Sequence, residues 1–150
     1  MTLHLVPLLA PGGLLVPEQI TVSACLADMR KEFAFVAADG TVVEDRQRVE
    51  LGPMFDLNQE AARDPQTLVA PRTVPVPDAL PPGFQTFLLR TTITTFGTLT
   101  LADYDYGLTY PTIIDAVGKI SPGTAVTATY QLGDRPGFVI RRQEALPPHD

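Results

Sequence analysis

The longest stretch of one period lies at residues 84–101, FQTFLLRTTITTFGTLTL. Its odd positions Phe87, Leu89, Ile93, Leu99 and Leu101 are apolar, and its even positions Arg90, Thr92, Thr94, Thr98 and Thr100 are polar. That two-residue period belongs to a half-buried strand, and threonine with branched aliphatics suits a pleated surface. Strands usually run about five or six residues, so Gly97 marks a bulge, a corner or a break into two strands. Phe96 falls beside it on the polar face.

The same period recurs at residues 19–26, where Ile20, Val22, Ala24 and Leu26 alternate with Thr21, Ser23 and Cys25. A helix starting at Ser23 competes with this strand, because Val22, Leu26, Met29 and Phe33 lie near helical spacing. Residues 32–38 and 41–50 flank Asp39-Gly40, a dipeptide suited to a tight hairpin, so the three segments predict an antiparallel meander. The adjacent Val42 and Val43 leave the register of its last strand open. A helix is predicted over residues 54–63, with Asp56 or Asn58 as cap and Asp64-Pro65 as its end. Pro111 opens a second short helix through Val117, ended by Gly118. In residues 124–132, Val126, Ala128, Tyr130 and Leu132 alternate with Thr127, Thr129 and Gln131. After GDRPG the chain returns through Phe138 and Ile140, which predicts a hairpin. The expected fold is mainly β, an antiparallel sandwich or barrel with one or two short helices.

Two segments depart from this pattern. Residues 1–17 carry no charge and hold Leu3, Leu5, Val6, Leu8, Leu9, Leu14, Leu15 and Val16, while Pro7, Pro11, Gly12, Gly13 and Pro17 forbid a regular helix. They predict an extended apolar arm ahead of a single β-rich domain at residues 18–150. Burying an aliphatic side chain gains about 1.5–3 kcal/mol, and ordering one backbone residue costs about 1–2 kcal/mol before side-chain entropy. With fewer than half of its residues large and aliphatic, the arm needs backbone hydrogen bonds as well, from a sheet edge of its own domain or of a neighbour. Within the domain, prolines 65, 71, 75, 77, 81 and 82 punctuate residues 65–82 and favour extended, polyproline-like backbone. The apolar Leu68, Val69, Val74, Val76 and Leu80 make this a strap packed on a surface rather than a linker.

Composition narrows the function. The chain of 150 residues is long enough for one domain with a sizeable core, and its net charge of −6 argues against general nucleic-acid binding, which needs a basic surface. Cys25 is the single cysteine, excluding an internal disulfide, and its apolar setting predicts a buried thiol. Residues 22–25, VSAC, have the form of a bacterial lipoprotein cleavage box. The segment before them lacks Lys and Arg, is broken by prolines and carries Glu18, so the chain is expected to be leaderless. No apolar run approaches the roughly 18 residues of a membrane span.

Candidate chemistry is sparse. The only histidines, His4 and His149, lie in the two tails, and the only serines are Ser23 and Ser121, which disfavours a nucleophile–histidine site and a zinc site. No glycine-rich phosphate loop is present, and no cofactor is expected. Glu44 with Asp45 and Asp103 with Asp105 are acidic pairs, but the glycine and distal glutamate of a calcium loop are misplaced, so they read as solvated turn acids. Tyr104, Tyr106 and Tyr110 cluster around Gly107 as core residues or as a contact platform.

An apolar arm, a proline strap and no catalytic constellation predict a non-enzymatic structural subunit, of the kind found in bacteriophage virions as capsid decoration (cement) or head-tail proteins. It would bind copies of itself and other structural proteins through Leu3, Leu5, Leu8, Leu9, Leu14, Leu15, Val74, Val76, Tyr104, Tyr106 and Tyr110. The expected location is the virion, with the cytoplasm as the alternative. Two readings compete: a carbohydrate- or ligand-binding β module whose tyrosine loop contacts glycan, and a small β-barrel enzyme or carrier with an internal pocket.

Overall fold

A computed structural model of the chain describes residues 17–33, 35–43, 46–58, 69–95, 99–102, 111–114, 117–131 and 137–143. Its centre is β1 (Gln19–Ala27), hydrogen-bonded antiparallel to β4 (Arg48–Asn58) on one side and to β6 (Thr86–Thr95) on the other, along its whole length. The far side of β6 carries two short strands, β7 (Leu99–Leu101) beside Ile93 to Thr95 and β8 (Thr112–Ile113) beside Leu88 and Leu89. A second sheet has the order β10 (Gly137–Gln143), β9 (Ala125–Gln131), β5 (Arg72–Pro75), and a third is the hairpin of β2 (Phe35–Val36) with β3 (Val42–Val43). All pairing is antiparallel, and the sheets do not close into a barrel.

The two larger sheets share one core. From β1 come Val22, Ala24 and Leu26, from β6 Phe87 and Leu89, and from β9 Val126 and Ala128, with Val74 of β5, Val76 after it and Met54 and Phe55 of β4. The alternation read at residues 19–26 and 124–132 therefore has its inward side as expected through Tyr130, while Leu132 lies outside the described residues. The expected break near Gly97 separates β6 from β7, though residues 96–98 themselves lie outside the described residues. The helix starting at Ser23 does not form. Two ladders satisfy β1's backbone there, and the chain turns after it into a single helical turn, α1 (Met29–Glu32), capped by Asp28.

Three other expectations are corrected. β1 does not join residues 32–38 in a meander: the Asp39-Gly40 hairpin forms, with Gly40 at φ 84° and Thr41 N–H donating to Asp39 Oδ1 at 2.9 Å, but it stands apart as β2–β3. Residues 54–58 are strand, not helix, and residues 59–63 lie outside the described residues. The helical look of this stretch has a cause. β4 pairs Phe55 with Val22 but Pro53 with Ser23, and Gly52 with Ala24 but Glu50 with Cys25, so Met54 and Leu51 are extra residues in two bulges. The bulges break the two-residue period and bury Met54 and Phe55 consecutively. Finally, residues 112–113 are strand where a helix from Pro111 is expected, because β6's free edge takes up their backbone; Ile114 N–H extends the contact to Phe87 O at 3.0 Å.

Residues 69–82 of the expected strap enter the second sheet through β5. Val76 N–H donates to Thr124 O at 2.8 Å, so every second residue of β5 faces β9 and Pro75 turns its donorless nitrogen outward. The apolar arm at residues 1–16 lies outside the described residues.

After the proline segment, Gly83 adopts φ +91°, and a Cβ there would stand 2.6 Å from Asp28 Oδ2 and 2.7 Å from Arg30 Nη2. Asp28 is buried, accepts from Arg30 N–H at 3.1 Å, and is clamped by the Arg30 guanidinium at 2.6 Å. Only glycine lets the loop close on this cap. Gly83→Ala is expected to lower stability by about 1–3 kcal/mol through the unfavourable backbone angle alone, with further loss from the displaced Asp28–Arg30 pair, read as a lower urea midpoint at unchanged slope.

Candidate interaction surface

The second face of the five-stranded sheet is polar at one end and sealed at the other. At the open end Asp56 of β4 accepts from Thr21 Oγ1 at 2.7 Å and from Gln19 Nε2 at 3.2 Å. In the middle Arg90 of β6 donates to Glu50 of β4 at 2.6 Å, passing over β1 at Ser23 and Cys25, the residues paired with Arg90 and Glu50. The small side chains of Ser23 and Cys25 leave room for that bridge. At the sealed end Cys25, Ala27 and Leu88 are fully buried, with Met29 of α1 packed against them.

Next to this cluster Glu32 of α1 is buried and ion-paired with Arg48 of β4; Arg48 Nε donates to Glu32 Oε2 at 3.1 Å. Arg46 Nε adds a bond to the Glu32 backbone oxygen at 3.3 Å. The sequence at residues 32–38 suggested a strand because this pairing joins residues sixteen positions apart, which no local pattern reports. Burial pushes the Cys25 thiol up to about 12, with Glu50 adding to the rise and Arg48 and Arg90 opposing it. A thiol held protonated is a poor nucleophile, and the cluster packs Met29 of α1 against the sheet's second face. Among the described residues no three His, Cys, Asp or Glu side chains gather as a metal site, and no helix is long and apolar enough to cross a membrane.

Exposed apolar side chains and sheet edges lie elsewhere on the described surface. Among the described residues Phe33, Val42 of β3, Leu99 of β7 and Ile113 of β8 are the exposed large hydrophobic ones, the last two both on strands beside β6. Among the described residues β4 and β5 are edges broken by bulges or proline, whereas β10 keeps unbroken register with β9 from Gly137 opposite Gln131 to Gln143 opposite Ala125. Behind β10 an aromatic group closes the core: the rings of Phe55 and Phe138 are 4.8 Å apart and those of Tyr130 and Phe138 5.1 Å.

Of the residues expected to make contacts, Val74 and Val76 are core side chains, so β5 turns them inward rather than toward a neighbour. Leu3, Leu5, Leu8, Leu9, Leu14, Leu15, Tyr104, Tyr106 and Tyr110 lie outside the described residues, as do His4, His149 and the acidic pairs Glu44–Asp45 and Asp103–Asp105. The edge of β10, which pairs on one side only among the described residues, was not singled out by sequence. Its one signal was the regular hairpin pattern free of internal proline.

Two measurements test the sealed end. Arg48→Met strands a buried carboxylate and is expected to cost about 3–5 kcal/mol in urea unfolding, most of it recovered in the double variant Glu32→Leu/Arg48→Met. Native Cys25 should resist a thiol reagent at pH 8 and react fully on unfolding. Because its folded pKa lies above the ordinary 9.0, the stability it contributes is intact below pH 9 and lost as pH rises from 9 toward about 12. A protein-family comparison finds no family model that matches the chain, and a comparison with curated proteins finds no similar one.

Proposed function

We propose that the chain is a non-enzymatic structural subunit of a larger assembly, of the bacteriophage virion class that includes capsid decoration and head-tail proteins. Its two larger antiparallel sheets, sharing one core, are read as a sandwich that serves as a rigid body for lattice contacts. The observation carrying this reading is the coexistence of a charge-free apolar segment at residues 1–16 with a regular sheet edge, β10, that among the described residues pairs on one side only. A soluble monomer rarely leaves either uncovered, since an open edge templates pairing and an apolar run seeks cover. Neighbouring copies and other structural proteins of the particle would supply that cover. Absence of charge in the arm suits this, because it can approach an acidic neighbour without repulsion.

Sedimentation decides it. The full-length chain is expected to self-associate with rising concentration and to travel with particles from its source. A variant lacking residues 1–16, which retains every described core residue from Val22 onward, should stay folded and free. A full-length chain that remains monomeric and binds no particle overturns the proposal.

A further inference from the structure

The Asp39-Gly40 hairpin carries chemistry of its own, which its geometry restrains. An aspartyl-glycyl bond rearranges without an enzyme: the Gly40 nitrogen attacks Asp39 Cγ, the carboxyl hydroxyl leaves with the amide hydrogen as water, and a five-membered succinimide forms. Water then adds to one of the two ring carbonyls. Opening at the side-chain carbonyl restores aspartate, whereas opening at the main-chain carbonyl leaves the chain running through Cγ, an isoaspartyl link. Glycine shields its nitrogen least from this attack because it has no Cβ. Both residues are exposed to the water that the second step consumes.

In the folded hairpin both reacting groups are engaged elsewhere. Gly40 N–H donates to Ala37 O at 2.9 Å, Ala37 N–H donates to Thr41 O at 2.8 Å, and Gly40 has φ 84°. That is the bonding of a three-residue loop, Ala38, Asp39 and Gly40, in which a type I turn is followed by a left-handed residue. Asp39 is the second central residue of such a turn, where ψ lies at about 0°. Its Cβ then stands well out of line with Gly40 N about the Cα–C bond, whereas the five-membered ring needs the two nearly eclipsed. The carboxylate is tied down as well, since Asp39 Oδ1 accepts from Thr41 N–H at 2.9 Å. That bond holds the Asp39 carboxyl below its ordinary range, and the ring forms from the neutral carboxyl, whose hydroxyl can leave.

The closed loop is therefore the unreactive form, and the ladder that closes it is short. β2 and β3 pair through two residues each, Phe35 with Val43 and Val36 with Val42. A hairpin of that length opens locally at far lower cost than a strand such as β1, which is bonded along both sides. Once opened and rearranged, the loop does not return. The isoaspartyl link inserts one more carbon into the main chain between Asp39 and Gly40 and moves the free carboxylate onto Cα, so the bonds from Gly40 to Ala37 and from Ala37 to Thr41 lose their common register.

We infer that Asp39 is a site of spontaneous isomerisation restrained by the closed β2–β3 hairpin, so that isoaspartate forms there through local opening and then keeps the hairpin from closing again. Tryptic peptide 32–46, released by cleavage after Lys31 and Arg46, contains the site. After warm incubation of the full-length chain at neutral pH, its isoaspartyl form is counted as a second chromatographic peak of unchanged mass. The chain in guanidinium chloride is expected to accumulate that form at least tenfold faster than the folded chain. Val42→Gly, at an exposed strand position outside the reacting pair, should raise the folded rate at least threefold and leave the denatured rate unchanged. Asp39→Glu, whose longer side chain does not close the five-membered ring, should abolish the second peak. Equal folded and denatured rates, no isoaspartate in either, a folded rate that Val42→Gly does not raise, or a second peak that survives Asp39→Glu overturns the inference.

Discussion

β1 is the strand that every other described part of the larger sheet answers to. It is hydrogen-bonded along both sides, and from Ala24 to Ala27 it is buried on both faces. A strand in that position can carry polar side chains only where solvent or a partner reaches them. Its sealed second face accordingly holds Cys25 and Ala27, while Thr21 and Ser23 fall where the face opens. Small residues there allow Arg90 to cross to Glu50 and let Met29 and Glu32 of the one-turn helix come down onto the sheet. The buried Glu32–Arg48 pair is then a cost accepted for position. Its attraction offsets desolvation only while both partners are present, so it ties the chain segment after β1 to the strand beside β1.

The edges are handled in three different ways. On β6 two short strands share the free side and leave only residues 90–92 between them. On β4 two bulges and Pro53 disturb the donor row, and on β5 Pro75 turns its missing donor outward; both are known means of blunting an edge against unwanted pairing. β10 has neither. Its exposed Arg141, Arg142 and Gln143 lie at one end, and its half-buried Phe138, Val139 and Ile140 make up most of the rest. Among the described residues two edges are thus disturbed by backbone chemistry and the third, β10, is regular.

How much of this could be read in advance depends on the range of the interaction. The alternation in residues 19–26, 86–95 and 125–131, the hairpin turn at Asp39-Gly40 and the burial of Cys25 were legible because each depends on side-chain period, turn chemistry or local apolarity, all written into neighbouring residues. The antiparallel, mainly β class follows from those patterns. Partner choice was not legible: β1 pairs with residues 48–58 and 86–95 instead of the nearer hairpin, because the energy of burying two faces is realised only among distant segments. The helix wrongly expected over residues 54–58 has the same origin, since bulges that fit β4 to β1 erase the period locally. The inward turn of Val74 and Val76 and the Glu32–Arg48 pair were likewise decided by tertiary pairing, where one hydrogen bond, Val76 to Thr124, sets how β5 faces β9.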